Sequence, residues 1–266
     1  MSAKEATTHQ IYWVASYPRS GNTFTRMLLA RIYFNLDRTF GKIGRVIPED
    51  ITGSPLDASV LETRFGPTIF MKTHLDRPPV GYGPTAGALY LHRHPLDVFL
   101  SSMNYLFINN VHWSFRNDKA KSVDEIVKDG ELDHYFQRFL EIDGFDHFMS
   151  FSGHWSESVR QWRELARQQP DRFMVLRYED LTTDTLGAMS RIADHIGAPV
   201  DPDHLRACIQ NTGQEIEGES RTSPEQGGAG AFFWKRQSGY HQSYLSPAQI
   251  AQFENKHGEL LRALGY

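Results

Sequence analysis

The stretch Ile11–Leu29, IYWVASYPRSGNTFTRMLL, constrains this chain most, because two periodicities meet in it across one short polar loop. Ile11–Ala15 is an apolar and aromatic run of strand type. From Asn22 to Phe34, Phe24, Met27, Leu28 and Ile32, with the stem of Arg31, recur at helical spacing. Between them lies Ser16-Tyr-Pro-Arg-Ser-Gly-Asn-Thr23, small and polar, with Gly21 where the chain must turn and a cation at Arg19. A helix N-terminus presents unpaired amides and the positive end of the helix dipole, so such a loop is a natural anion site. Arg19 adds a full charge, and Ser20, Asn22 and Thr23 add side-chain donors. The segment reads as a phosphate cradle.

What the loop lacks narrows the phosphate. A nucleoside-triphosphate loop reads GxxxxGK[ST], with a lysine after the second glycine and a hydroxyl for magnesium. Here Ala15 stands at the first glycine, Asn22 stands at the lysine, and the cation precedes Gly21 by two residues.

The rest of the chain alternates short apolar strands with helices. Thr68–Lys72, Ala88–Arg93 and Arg172–Arg177 read as further strands. Helices are predicted from Pro95 to about Tyr105, over Trp155–Gln169, around Leu186–Ile196, and from a Ser246/Gln249 capping signature to the C-terminus. Asn35–Arg64, broken by glycine and proline, reads as loop with short helical pieces, and Asn211–Gly230 as a mobile polar segment. This alternation predicts an α/β fold, a single domain over residues 1–266 with a central parallel sheet flanked by helices, and residues 1–10 as a disordered tail. Ligands in such sheets bind beyond the carboxyl ends of the strands, which puts the Arg19 loop, His74 and Arg93 along one edge.

Composition excludes several classes. A net charge of −4 gives no argument for nucleic acid, and no lysine/arginine run suggests a membrane surface. Cys208 is the single cysteine, so no disulfide forms within the chain. The opening MSAKEATTHQ has no apolar signal core and no segment approaches a membrane span, so a cytoplasmic protein is expected.

Two further motifs carry chemistry. In Phe70-Met-Lys-Thr-His-Leu75, Lys72 and His74 are two positions apart at a strand end and so share a side. An imidazole with an unperturbed pKa near ~6.5 can accept a proton at neutral pH. In Leu89–Ser101, LYLHRHPLDVFLS, Arg93 ends a strand and Ser101 lies on the next helix, so a guanidinium fork and a hydroxyl can converge on one anion. His92 and His94 lack a third ligand at convincing spacing, so no metal is assigned.

Taken together the motifs resemble the sulfotransferases. YPRSGNTF is similar to their 5′-phosphosulfate loop, roughly YP[KR]SG[TN]TW, with Phe24 in place of the tryptophan. KTHL matches their catalytic segment, and RHPLDVFLS resembles their 3′-phosphate segment RNPxDVxxS. Tyr178 in Arg177-Tyr-Glu-Asp-Leu181 matches a YEDL segment whose tyrosine lies near the adenine. Phe232–Tyr240, FFWKRQSGY, departs from the family's RKGxxGxW loop: anchored on Gly239, Lys235 matches the lysine, while Trp234 and Arg236 stand at the arginine and glycine.

The resemblance implies a P-loop-like sulfotransferase fold and 3′-phosphoadenosine 5′-phosphosulfate as co-substrate, with no metal. It implies His74 as general base, Lys72 and Arg19 as catalytic cations, and a donor site of Arg19, Ser20, Gly21, Asn22, Thr23, Phe24, Arg93, Ser101, Tyr178, Lys235, Arg236 and Gly239. The partner would be a small-molecule hydroxyl acceptor. Tyr105–Ser152, where the family builds its acceptor loops, is rich in aromatics that suit a ring system or apolar scaffold, or that simply pack the core. Two rivals stand beside this reading: an ATP-dependent small-molecule kinase, and a non-catalytic nucleotide-binding protein on the same fold.

Overall fold

The computed structural model describes residues 9–50, 58–109, 122–220, 232–235 and 237–266. Five strands form one sheet: β1 (Gln10–Ser16), β2 (Val60–Thr63), β3 (Gly66–Thr73), β4 (Thr85–His92) and β5 (Phe173–Arg177). Their order is β2-β3-β1-β4-β5, with β1 at the centre. β1 runs parallel to β3 and to β4, and β4 runs parallel to β5. The edge strand β2 is antiparallel to β3, an exception to the all-parallel sheet expected from sequence. It is four residues with alternating exposure, too short and too polar to stand out from its glycine- and proline-rich surroundings.

Alternate side chains of β1 feed two cores, as the period of a strand requires. Ile11, Trp13 and Ala15 join one layer with Ile69, Met71, Ala88 and Tyr90, while Tyr12 and Val14 join the other with Phe70, Leu89 and Leu91. The first layer is built on α2 (Pro95–Ile108), α3 (Val123–Lys128), α4 (Leu132–Ile142), α5 (Asp146–Ser152), α6 (Trp155–Gln168) and a C-terminal helix, α10 (Pro247–Leu264). The second is built on α1 (Asn22–Phe34), α8 (Thr185–Ile196) and α9 (Pro202–Ser220), with α7 (Tyr178–Thr183) leading into it from β5. Covered on both faces, the central strands are apolar throughout, which is why they were legible as unbroken runs.

Two expectations change here. Residues 211–220 are not a mobile segment but the last turns of α9, where Arg31 meets Glu215 at 2.6 Å and Thr212 at 3.2 Å; residues 221–230 lie outside the described residues. The aromatic stretch after Tyr105 divides between two tasks. Tyr135, Phe136, Phe139 and Phe145 are buried core, Tyr105 and Phe151 face a cavity, and Phe148 does both, buried in the core and lining the cavity. Trp113 and Phe115 lie outside the described residues, as do residues 1–8 of the tail expected over residues 1–10, whereas Gln10 is the first residue of β1.

Candidate active site

Beyond the carboxyl ends of β1, β3 and β4 the structure holds a cavity of about 500 Å³, within the range of nucleotide and drug-sized sites. Its floor is the loop after β1. Arg19 (φ 68°) and Gly21 (φ 99°) both adopt left-handed backbone, the first of them costing an L-residue about 1–2 kcal/mol. α1 begins at Asn22 with no side-chain cap, so its first-turn amides are free to meet an anion. Gly21 is required on two counts: its φ, and a Cβ there would run into the ring of Tyr178.

The side chains of this loop differ in their tasks. Thr23 and Phe24 line the cavity. Asn22 also lines it; its amide nitrogen donates to Val14 O at 2.9 Å and ties the loop to β1, while its buried Oδ1 has no hydrogen-bond partner among the described residues. Ser20 is buried, and its hydroxyl has no partner among the described residues. Arg19 crosses the cavity wall: Nε donates to Ser101 Oγ at 3.1 Å and Nη2 to Phe232 O at 3.0 Å. Its guanidinium sits 4.4 Å from the ring of Phe232 and 5.2 Å from that of Tyr105. Burial, with Arg93's charge nearby, lowers it to about 10, so it stays a cation at neutral pH.

Lys72 and His74 reach the cavity from the end of β3 on the same side, as their spacing predicts. His74 Nδ1 lies 2.7 Å from Ser16 O and 3.3 Å from Ser16 Oγ. A carbonyl can only accept, so Nδ1 carries the hydrogen and the Nε2 lone pair is the acceptor the ring has left. Burial first, and then the charge of Lys72, push His74 down to about 3. Burial lowers Lys72 as well, against the opposing pull of Glu49, whose Oε1 lies 2.9 Å from its Nζ.

Arg93 and Ser101 converge on the cavity from the end of β4 and from α2. In this structure Ser101 accepts from Arg19 and not from Arg93. Arg93 donates through Nη2 to Gln237 O at 3.0 Å and stands 4.4 Å over the ring of Tyr178. Its buried Nε has no hydrogen-bond partner among the described residues. The nearest carboxylate to that Nε is Asp97, with Oδ2 at 4.0 Å, an ion pair without a hydrogen bond. A guanidinium N–H and a hydroxyl that lack hydrogen bonds, beside uncapped amides, are what a multiply charged ligand would satisfy.

The closing segment differs from expectation. Lys235, in left-handed backbone, turns outward: Nζ lies 5.0 Å from the ring of Trp234 and 5.3 Å from that of Tyr244, and the residue does not line the cavity. Trp234, Phe233 and Phe232 line it instead. Gly239 is also outside the cavity, its amide donating at 2.7 Å to Asp97, which takes His241 N and Nδ1 on its other oxygen. Asp97 thereby seats the segment on α2. Arg236 lies outside the described residues. Sequence reasoning also missed Glu49 and His147, both on the cavity wall, and neither sits in a motif that would have flagged it. Among the described residues no cluster of His, Cys, Asp or Glu could hold a metal, and no helix is long and apolar enough to cross a membrane.

Fold and site thus define an α/β protein with a strand–loop–helix at the centre of its sheet, its uncapped helix start on the cavity. The chain belongs to the sulfotransferase family: the family's sulfotransferase-domain model matches residues 10–265. It is 31% identical over 143 residues to sulfotransferase 2A2 of Mus musculus, a match covering 53% of this chain and 42% of that protein. To sulfotransferase 2A1 of Macaca fascicularis it is 23% identical over 214 residues, 79% of this chain and 67% of that one. Among solved structures, a retinol dehydratase in complex with androsterone and the inactive cofactor PAP superposes with a TM-score of 0.62 at 21% identity, covering 94% of this chain and 80% of that one. A mouse sulfotransferase complexed with PAP gives 0.61 at 16% identity, over 95% and 85%. At such identities the likeness establishes the fold.

Proposed function

We propose that this protein transfers the sulfuryl group of 3′-phosphoadenosine 5′-phosphosulfate to a hydroxyl of a small-molecule acceptor, releasing adenosine 3′,5′-bisphosphate. The observation that carries this reading is His74: a neutral ring on the cavity wall, its tautomer fixed by Ser16 O at 2.7 Å, with two cations, Lys72 and Arg19, on the same cavity. The α1 amides and the Arg19 loop hold the 5′-phosphosulfate, Arg93 and Ser101 the 3′-phosphate, and Tyr178 lies near the base. Phe24 offers the donor an aromatic face, and Tyr105, Phe148 and Phe151 supply the aromatic wall for the acceptor.

In the reaction His74 Nε2 takes the acceptor proton as the acceptor oxygen bonds to sulfur. The sulfur–oxygen bond to the 5′-phosphate breaks in line, and charge grows on the departing oxygen. Lys72 and Arg19 stabilise that charge. Arginine does not readily give up its proton, so Arg19 acts by charge and not as an acid. The retinol dehydratase and mouse neighbours bind PAP, which supports the donor assignment, and androsterone in the former is a small-molecule ligand of the kind expected for the acceptor.

The test is transfer of radiolabelled sulfate from the donor to a panel of phenols and alcohols, beside a thermal-shift titration with adenosine 3′,5′-bisphosphate, ATP and ADP. Transfer with selective stabilisation by the bisphosphate is expected. Stabilisation by ATP with phosphate transfer would make the protein a kinase. Bisphosphate binding without transfer to any acceptor would make it a binding protein.

A further inference from the structure

Glu49 is the one carboxylate among the described residues lining the cavity. A negative wall opposes a polyanionic ligand, so its presence there needs a reason. Its charge is already engaged: Oε1 lies 2.9 Å from Lys72 Nζ and 3.2 Å from Arg26 Nη1. Arg26, on α1, is 4% exposed and gives its other nitrogen to Ile47 O at 2.6 Å, so it cannot swing away. The backbone around Glu49 is laced to β3 at the same point, with Lys72 N donating to Pro48 O at 2.8 Å and Asp50 N to Lys72 O at 3.0 Å. The backbone that carries Glu49 is thereby tied to β3, and its partly exposed carboxylate is held by the two cations.

We propose that Glu49 is a positioning residue of the transfer site, whose carboxylate holds the Lys72 ammonium, against the competing charge of Arg26, as a fixed cation beside His74. This rests on the sulfuryl-transfer reading. The charged and titratable groups around Lys72 are Arg26 from α1, Glu49 and Asp50 from the preceding segment, and His74 from its own strand end. Asp50 accepts from Thr73 Oγ1 at 2.5 Å. Glu49 is the acid that touches the ammonium. Burial and Arg26 both favour the neutral amine, and Glu49 is the chief opposing influence. A neutral amine at position 72 would keep an N–H donor but lose the full charge that opposes charge on the leaving phosphate.

The experiment is the pH dependence of kcat/KM for the donor in wild type, Glu49→Gln, Glu49→Asp and Glu49→Gln/Lys72→Arg, each checked for a native melting transition. In Glu49→Gln the basic limb should move down by about one to two pH units, the scale of one lost charged hydrogen bond. Glu49→Asp, should the glutamine variant fail to fold, should move it the same way by less. The double variant should lose the displaced limb, because a guanidinium keeps its proton across the range. Wild-type limbs in folded Glu49→Gln or Glu49→Asp, or a displaced limb that persists with Lys72→Arg, would overturn the proposal. Absence of transfer and of bisphosphate binding in the wild type would instead overturn the functional reading, and this inference with it.

Discussion

Replacing His74 with asparagine separates the proton-accepting lone pair from everything else the ring does. The asparagine amide can still donate to Ser16 O, the partner of Nδ1 at 2.7 Å, but it offers no basic nitrogen to the cavity. Removing a general base costs roughly 10²–10⁴-fold in rate, about 2.7–5.5 kcal/mol of transition-state stabilisation. In the proposed site no phosphate is assigned to His74, so bisphosphate affinity should hold while transfer falls. The pH profile sharpens the test. An unperturbed imidazole predicts activity rising near neutrality, but burial and Lys72 hold this one at about 3. The ring is then neutral throughout the range from about pH 5 to 8. The donor kcat/KM, which reports the free enzyme, should show no acidic limb from His74 there. Acidic acceptors such as phenols should lose less than aliphatic alcohols, because they need less help to ionise. The assay is single-acceptor kinetics across pH for the wild type, His74→Asn and His74→Ala. Wild-type rates in either variant with an aliphatic acceptor would refute the base assignment. An acidic limb near 6.5 that vanishes with His74 would refute the argument from burial.

Four further outcomes are expected. Arg93→Ala should weaken adenosine 3′,5′-bisphosphate by about ten- to a hundredfold while sparing adenosine 5′-phosphosulfate, by isothermal titration, since a charged hydrogen bond to phosphate is worth ~1.5–3 kcal/mol; equal losses would give Arg93 another role. Arg19→Ala should lower kcat more than it raises the donor KM, because charge on the leaving oxygen peaks in the transition state; normal turnover with weak donor binding would reduce Arg19 to a ground-state anchor. Gly21→Ala should lose bisphosphate binding at least about tenfold and cost about 1–2 kcal/mol by urea titration, since it strains the left-handed loop and displaces Tyr178. Finally, His74, His92 and His94 sit at about 3, 4 and 3 against an ordinary 6.5, each lowered chiefly by burial. The unfolded chain therefore binds more protons below pH 6.5, so their contribution to stability is whole above that pH and is lost as it falls toward 3–4. Each group adds a slope of up to ~1.4 kcal/mol per pH unit in that window. Urea unfolding should show His94→Asn, which keeps a helix-capping side chain, with a shallower acid slope than wild type; identical slopes would contradict the assignment.

The sequence by itself determined what is local and periodic. β1, the loop, α1, the strand before His74 and the capped C-terminal helix were legible because strand and helix periods are short-range and their caps are written in adjacent residues. The sheet's buried strands read as continuous apolar runs for the same reason. It also named, through spacing, the residues that the sheet would bring to one edge: Arg19, Lys72, His74 and Arg93 lie at the ends of three neighbouring strands, and that placement follows from the fold class alone. Only tertiary structure decided their partners. Ser101 is far from Arg19 in the chain yet accepts its Nε at 3.1 Å. Lys235, the motif's lysine, turns away on left-handed backbone, and the aromatic side chains beside it take the wall. The pKa of His74 was beyond reach as well, since its depression comes from burial and from Lys72 held by Glu49, a residue no motif contains. Spacing records which residues share an edge; which charges touch, and how much water remains between them, depends on packing of segments distant in sequence.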